Sequence, residues 1–493
     1  MNDAVGQSLG NEADEDVVAP LSEEMPGAFF EDECPFESMD NESVICGYLL
    51  VAEDRTKVDG LTVEIAVAII PSHRDAPRPD PVLYLEGGPG GSALLGIDDW
   101  LESPLREERE IILFDQRGTG FSWPNLDCPE TDAVEAGEAP EGVLKIEAVE
   151  TCRNRLRQLG VDLTAYNSAA SAADVEDLRV ALGIETWNLF GISYGTRLAL
   201  TVMRDYPTGV RSVVLDSVYP LNVDAYTVSP QTQADAILAL LRACQADVDC
   251  RHWYPELEQD LYTAIDILND EPLELEDGFV TGEDLVSALV SSLYDSETIP
   301  VLPLAISEAA FDNHDIWLEL SEEEARRTTS HRSRQHQSPR QDDVEDLEDS
   351  QGMFYSVECR EEAPFGSPSA AQSLMEGYPD QLAEPLLADL DEFYAACAIW
   401  GAGEAAKVEN MPVESDIPTL LLAGELDPVT PPSWARLASE TLTNHLYLKI
   451  PRGGHSVSSD GDCVMQIIVD FYNALDAEPD SDCIQEIRAF EGP

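Results

Sequence analysis

The amino-acid sequence predicts an α/β fold in which a mostly parallel sheet is interrupted by a large helical insertion. Short apolar runs, typical of buried strands, alternate with helix-favouring segments at both ends of the chain. Between about residues 221 and 414 the spacing of apolar residues is helical, and no clear buried strand precedes Ile417. We therefore expect the helical block to cover the sheet as a cap.

The strands and helices follow in order along the chain. Two opening strands, Val44–Val51 and Leu61–Ile70, flank the polar turn Glu53–Gly60. The further predicted strands are Pro81–Leu85, Ile111–Phe114, Trp187–Phe190, Ser212–Leu215, Pro418–Ala423 and Leu446–Ile450. The predicted helices are Ser171–Leu182, capped by Ser171, then Thr196–Tyr206, Gln231–Gln245 and Tyr254–Leu268.

These differences in sequence pattern divide the chain into four parts. Residues 1–30 are predicted to be a disordered acidic leader, residues 31–220 and 415–493 the two parts of the core, and residues 221–414 the cap. Within the cap, residues 321–350 are charged and poor in apolar side chains, which favours a disordered surface insertion over a docking loop. The leader lacks a basic region followed by an apolar one, so we expect that a signal peptide has been removed.

The charge balance is the most unusual feature of the composition. The 97 acidic residues exceed the 28 basic ones so far that the formal net charge is −69. This excludes nucleic acid as a partner, since phosphate contacts need a basic surface. An acidic, lysine-poor surface favours a halophilic or halotolerant protein, because salt screens the self-repulsion. An ordinary acidic extracellular protein is the alternative.

Ten cysteines indicate an oxidising compartment, and the protein is expected to be secreted, periplasmic or extracellular. Their number allows many connectivities, but their clustering favours pairing between sequential neighbours. The favoured pairs are Cys34/Cys46, Cys128/Cys152, Cys244/Cys250, Cys359/Cys397 and Cys463/Cys483. Paired C-x-x-C motifs are absent, so we expect no metal and no other cofactor. No stretch reaches the eighteen apolar residues of a membrane span.

The segment Gly191–Gly195 carries the predicted nucleophile. Its sequence G-I-S-Y-G stands between an apolar strand and a helix, where a sharp turn exposes the hydroxyl of Ser193. A serine of this kind needs a general base and an acid that orients the base. Asp427 and His455 follow two later strands, so the order Ser, Asp, His is complete. We predict that these three residues form a catalytic triad.

A tetrahedral intermediate requires two preorganised N–H donors. One is predicted to be the backbone N–H of Tyr194, next to the nucleophile. The other is predicted to be that of Gly88, in the glycine-rich loop after Pro81–Leu85. The alternative of a phosphate-binding loop is disfavoured, because neither G-x-x-x-x-G-K-[ST] nor G-x-G-x-x-G is present.

Five motifs together resemble one family. L-E-G-G-P-G-G-S, D-Q-R-G-T-G-F-S, G-I-S-Y-G-T-R-L-A, A-G-E-L-D-P-V-T-P and G-G-H-S are similar to the proline iminopeptidase and tripeptidyl-aminopeptidase group of α/β-hydrolases. The resemblance covers about residues 40–220 and 415–493. It implies an eight-stranded α/β-hydrolase sheet, a helical cap and a secreted serine exopeptidase. Glu86 departs from the histidine usual before G-G-P-G, and the longer cap favours the tripeptidyl branch.

An exopeptidase must bind the substrate's terminal ammonium, for which buried carboxylates in the cap are the expected partners. The segment Ser356–Glu362 is similar to the cysteine-plus-acid motif of tripeptidyl-aminopeptidase caps, which aligns best with Glu361; Glu362 is the second candidate. The expected substrates are peptides or, alternatively, small acyl esters cleaved by a carboxylesterase of the same fold. A non-catalytic binding protein of this fold is disfavoured, because all three triad residues are present. The sequence leaves the oligomeric state open.

Overall fold

A nine-stranded sheet forms the centre of the computed structural model. The structure describes residues 27–493 except 37–43, 58–59, 136, 138, 140–142, 276–277, 312, 319, 321–348, 389 and 486–488. The sheet strands are β1 (Phe29–Asp32), β2 (Ile45–Ala52), β3 (Thr62–Ile70), β4 (Val82–Leu85), β5 (Ile111–Phe114), β6 (Trp187–Ile192), β7 (Val210–Asp216), β10 (Thr419–Gly424) and β11 (His445–Ile450). Their order in the sheet is β1-β2-β3-β5-β4-β6-β7-β10-β11. A separate hairpin consists of β8 (Leu273–Leu275) and β9 (Gly278–Val280).

Pairing within the sheet is antiparallel at the start and parallel afterwards. The strands β1, β2, β3 and β5 pair antiparallel, whereas every later pair from β5 to β11 is parallel. Parallel neighbours bring their carboxyl ends to one edge of the sheet, where ligands of α/β proteins usually bind. The sheet has one strand more than the family resemblance implies, because Phe29–Asp32 pairs with β2 instead of belonging to a leader.

Helices cover both faces of the sheet and build the cap. The helices of the core are α1 (Ile97–Leu101), α2 (Pro129–Glu135), α3 (Lys145–Gln158), α4 (Ser168–Ala181), α5 (Tyr194–Asp205), α15 (Pro432–Ser439) and α16 (Asp462–Asn473). Those between β7 and β10 are α6 (Ala225–Ala246), α7 (Val248–Trp253), α8 (Leu257–Asp270), α9 (Gly282–Tyr294), α10 (Leu302–Ala309), α11 (Gln351–Glu361), α12 (Pro368–Leu374), α13 (Asp380–Leu387) and α14 (Leu390–Trp400). The predicted helical block is therefore present. Residues 1–26 of the proposed leader and residues 321–348 of the proposed insertion lie outside the described residues.

Four buried apolar clusters hold these elements together, and one of them joins the core helix α3 to the cap helices α11 and α14. Helices α4, α5 and α15 pack on one face of the sheet, and α1 and α16 pack on the other. The cap helices α6, α8, α9 and α10 form their own apolar cluster. Among the described residues, no helix combines the length and the apolar character needed to cross a bilayer.

The start of α4 corrects one detail of the sequence interpretation. The helix begins at Ser168, and its cap is Asn167, whose side chain accepts the N–H of Ala170 at 3.0 Å. Ser171 lies within the first turn of the helix, and it is buried. The sequence pattern missed this because Asn167, four residues before Ser171, caps the helix by accepting a first-turn N–H.

All ten cysteines form the five pairs that the sequence favoured. Each disulfide closes a loop of between 6 and 38 residues. The Cys359–Cys397 bridge links α11 to α14 and so fixes the cap helix that carries the predicted amine-binding carboxylates. Closing loops of this size typically stabilises a domain by about 2–4 kcal/mol per bridge.

Candidate active site

Ser193 occupies a tight turn between β6 and α5. Its backbone has φ 55° and ψ −124°, a strained conformation for a residue with a side chain. The flanking glycines are required by close packing. A Cβ atom on Gly191 would lie 2.4 Å from the carbonyl oxygen of Gly195, and one on Gly195 would lie 1.9 Å from that of Leu85. The turn therefore holds the Ser193 side chain at the carboxyl edge of the sheet.

His455 and Asp427 meet in the loops that follow β11 and β10. The imidazole Nδ1 lies 2.9 Å from Asp427 Oδ2, and both side chains are almost completely buried. The carboxylate is well supported, because Oδ1 accepts the N–H groups of Val429 and Thr430 and Oδ2 accepts the Thr430 hydroxyl. Burial raises the pKa of Asp427, but His455 and the Thr430 hydrogen bonds lower it below the usual value. The aspartate is therefore ionised and orients the ring through Nδ1.

Tyr294, the last residue of α9, lies beside His455 of the predicted triad. Its ring centroid is 4.2 Å from that of His455. Its carbonyl accepts the backbone N–H of His455 at 2.8 Å. The buried Nε2 of His455 has no hydrogen-bond partner among the described residues. Nε2 is therefore available to accept the proton of Ser193.

The glycine-rich loop after β4 reaches the nucleophile. A Cβ atom on Gly87 would lie 3.1 Å from that of Ser193, so this residue directly faces the serine. The N–H of Gly87 already donates to Glu86 Oε1 at 2.7 Å. Gly88 has φ +105° and is exposed, and its N–H has no backbone acceptor among the described residues. Gly88 and Tyr194, the first residue of α5, remain the predicted oxyanion donors.

Glu86 is the side chain by which this loop departs from the family pattern. Its Oε1 also accepts the hydroxyl of Tyr84 at 3.1 Å. Burial raises the pKa of Glu86 to about 7, although the hydrogen bonds from Gly87 and Tyr84 lower it and the charges of Asp349 and Asp115 raise it further. The carboxyl group thus anchors the loop by holding the N–H that precedes Gly88.

The two predicted amine-binding carboxylates lie together in a buried cluster around Arg197, one turn after the nucleophile on α5. Glu361 accepts the Ser168 N–H and hydroxyl at 2.8 Å each and the Nε of Arg197 at 3.1 Å. Glu362 Oε1 lies 2.8 Å from Arg197 Nη1, a close ion pair without hydrogen-bond geometry, and Oε2 accepts the Ala225 N–H. Both carboxylates are thus engaged by protein groups.

Sequence reasoning missed a third carboxyl group in this cluster. Glu358 is buried on the same face of α11, and its Oε2 accepts the hydroxyl of Tyr219 at 3.3 Å. Burial, followed by repulsion from Glu362, raises the pKa of Glu358 well above its usual value, although Arg197 opposes this. Glu358 lies three residues before Glu361 and four before Glu362, so all three carboxyl groups share one helix face. This spacing is the sequence pattern that could have indicated Glu358 as a third member.

The aromatic side chains beside this cluster come from both the core and the cap. The guanidinium of Arg197 lies 4.8 Å from the centre of the Tyr219 ring, which stacks on Trp434 at 5.5 Å. Tyr226 of α6 stacks on Phe393 of α14 at 3.6 Å. Three carboxyl groups thus face one guanidinium among aromatic rings. Across the described part of the chain, no group of three or more His, Cys, Asp or Glu residues could hold a metal ion.

Two families match the chain. Residues 80–254 match a family described as alpha/beta hydrolase fold, and residues 388–483 match a family described as TAP-like protein. These matches confirm the predicted fold and the resemblance to the tripeptidyl-aminopeptidase group, and they identify the chain as a hydrolase.

Curated relatives cover different lengths of the chain. YuaR of Escherichia coli (strain K12), which carries the name of a hydrolase, is 24% identical over 461 residues, or 86% of this chain and 85% of that protein. The serine protease Hip1 of Mycobacterium tuberculosis (strain ATCC 25618 / H37Rv) is 28% identical over 36% of this chain and 37% of the relative. The tripeptidyl aminopeptidase of Streptomyces lividans is 28% identical over 43% of this chain and 42% of the relative. The similarity thus spans less than half the length of the two named peptidases.

Proposed function

We propose that this α/β-hydrolase, with its TAP-like C-terminal segment, is a serine aminopeptidase that releases N-terminal residues or tripeptides. The observation that carries the proposal is the strained turn of Ser193 at the same sheet edge as the buried His455–Asp427 pair. A serine held in this way, next to an oriented imidazole, is suited to nucleophilic acyl transfer.

The proposed reaction proceeds through an acyl-enzyme. His455 Nε2 takes the proton of Ser193 as its oxygen attacks the scissile carbonyl carbon, and Asp427 stabilises the imidazolium. The N–H groups of Tyr194 and Gly88 stabilise the oxyanion of the tetrahedral intermediate. His455 then protonates the leaving amine. In the second half, water attacks the acyl-enzyme with His455 again as base, which regenerates the serine hydroxyl.

The buried acid cluster supports the choice of an aminopeptidase. Glu358, Glu361 and Glu362 face the single guanidinium of Arg197, so the fully ionised cluster would carry two uncompensated negative charges. Such charges are costly in a buried site unless a cation joins them. We propose that the substrate's terminal ammonium is this cation. Glu358 has the fewest polar contacts of the three carboxyl groups and joins Glu361 and Glu362 as a candidate.

We predict that Glu361→Gln reduces kcat/KM for a free-amine peptide by roughly 30- to 1,000-fold, or about 2–4 kcal/mol. Activity on a short acyl ester should change little, because an ester has no ammonium to bind. The measurement is a side-by-side panel of the free peptide, its N-acetylated form and the ester.

Two further variants make this test decisive. Glu376→Gln makes the same chemical change at an exposed position of the cap and should behave like wild type. Glu358→Gln provides a second probe of the cluster if Glu361→Gln lowers the melting temperature. Equal turnover of free and N-acetylated peptides by wild type would rule out the exopeptidase and favour the carboxylesterase.

We also propose that the protein acts outside the cytoplasm in a saline medium. The five disulfides support an oxidising compartment, and the net charge of −69 supports a salty one. The screening length falls from about 10 Å at 0.1 M salt to about 3 Å at 1 M, so repulsion between surface carboxylates should weaken in that range.

The melting temperature is therefore expected to rise by several degrees between dilute buffer and about 1 M NaCl. The measurement is differential scanning calorimetry over a salt series at constant pH. Sucrose of equal osmolality is the control, since it stabilises folded proteins without screening charge. A melting temperature that is unchanged or lower in NaCl would contradict the halophilic interpretation.

A further inference from the structure

A groove of about 460 Å³ lies between the cap helix α6 and the core helix α15, at the edge strand β11. Small side chains, Ala239 and Ala243, keep its α6 wall open. Arg242 of α6, Arg436 of α15 and Lys449 of β11 line the groove together with one acidic residue, Glu425. Three cationic side chains thus converge on one groove in a chain whose acidic residues outnumber its basic ones 97 to 28.

The two arginines of this groove make no ion pair with any described residue. Arg242 has only a 3.5 Å contact from Nη2 to the backbone carbonyl of Asp235, whose carboxylate accepts the hydroxyl of Tyr378. The Arg436 guanidinium lies 5.6 Å from the centre of the Tyr447 ring, which positions the charge without neutralising it. Both arginines are solvent-exposed, yet neither has a carboxylate partner among the described residues of this highly acidic chain, so two guanidinium groups in one groove point to a ligand.

Glu425 does not cancel this positive charge. One of its oxygens contacts the ammonium of Lys449 and the other accepts the N–H of Arg452 at 3.2 Å. Burial raises the pKa of Glu425, but the contact with Lys449 lowers it below the usual value, so the carboxylate is ionised. Three cations and one carboxylate leave two positive charges for a ligand to balance.

We propose that this groove binds a small organic oxyanion that carries at least two negative charges, such as a dicarboxylate or tricarboxylate. Guanidinium groups donate paired N–H bonds that match the planar oxygens of a carboxylate. The volume exceeds that of a single inorganic ion and lies within the range of small-molecule sites. The site uses none of the residues assigned to the acyl transfer and stands independently of it.

The position of the groove indicates what such a ligand would join. Its walls come from the cap and from the core, and Glu425 lies two residues before Asp427 on the same loop. The neighbouring Thr232 of α6 already donates its hydroxyl to the carbonyl of Pro428 at 3.1 Å. A bound oxyanion would therefore link α6 to the core beside the loop of the predicted triad acid.

The test is isothermal titration calorimetry of the full chain with citrate at constant ionic strength. Wild type should bind citrate saturably, whereas the double variant Arg242→Ala/Arg436→Ala should bind at least tenfold more weakly. Arg251→Ala removes an exposed cap arginine that lies outside the groove and should bind like wild type. The net charge of −69 suppresses non-specific anion binding, which makes saturable binding informative.

Two further titrations separate the sources of the oxyanion. An N-acetylated peptide ending in two aspartates tests a peptide-borne pair of carboxylates, and inorganic phosphate tests a compact anion. Loss of citrate or peptide binding in the double variant supports the site. Whichever of citrate and the peptide binds wild type more tightly identifies whether the oxyanion is a free small molecule or part of a peptide. Three results would overturn the proposal. They are equal citrate binding by wild type and the double variant, no citrate binding up to about 10 mM (a binding free energy weaker than about −2.7 kcal/mol), and tighter binding of phosphate than of citrate or the peptide.

Discussion

Substitution of Ser193 by alanine is expected to reduce kcat by about 10⁶-fold on both peptide and ester substrates. The loss corresponds to about 8 kcal/mol of barrier, because no acyl-enzyme can form without the hydroxyl. The fold should persist, and the melting temperature should not fall. The strained φ of 55° comes from the packing of Gly191 and Gly195, and alanine retains the same backbone at that position.

Covalent labelling provides the second readout for Ser193. An organophosphonate should modify wild type at this residue alone, as located by peptide mass spectrometry. Ser171→Ala is the matched control, because the buried Ser171 hydroxyl has no hydrogen-bond partner among the described residues. That variant should keep full activity and labelling. Labelling of a different serine, or near-normal turnover by Ser193→Ala, would show that the nucleophile lies elsewhere.

The parts of the candidate site that could be predicted from the sequence are those set by local chain geometry. Ser193, Asp427 and His455 each follow an apolar run, and parallel strands bring such positions to one edge regardless of the details of packing. The disulfide pairs could likewise be predicted from the sequence, since each joins cysteines that are neighbours along the chain, such as Cys244 and Cys250.

The remaining features depend on how the cap packs on the core. Tyr294 precedes His455 by about 160 residues, and no local pattern indicates that its ring would lie beside the imidazole. Arg197 has helical spacing from the nucleophile, but its pairing with Glu361 requires α11 to lie against α5. In a chain with 97 acidic residues, the sequence alone cannot separate buried carboxylates from the solvated majority.

Asp427→Asn is expected to lower kcat by about 10⁴-fold, or about 5.5 kcal/mol. The amide can still accept the N–H groups of Val429 and Thr430 through its oxygen, so the loop should keep its conformation. Its NH₂ group, however, would donate towards His455 Nδ1. That stabilises the tautomer protonated at Nε2, which cannot accept the proton of Ser193, and the neutral amide no longer stabilises an imidazolium.

The pattern of loss distinguishes this role from that of the acid cluster. Asp427 acts on the base itself, so peptide and ester turnover and the rate of organophosphonate labelling should all fall by a similar factor. Glu361→Gln is expected to affect the free-amine peptide selectively. Asp416→Asn, an exposed aspartate in the loop before β10, is the control and should match wild type. Retention of more than about one tenth of wild-type activity by Asp427→Asn, well above the expected 10⁴-fold loss, would show that Asp427 does not orient His455 for catalysis.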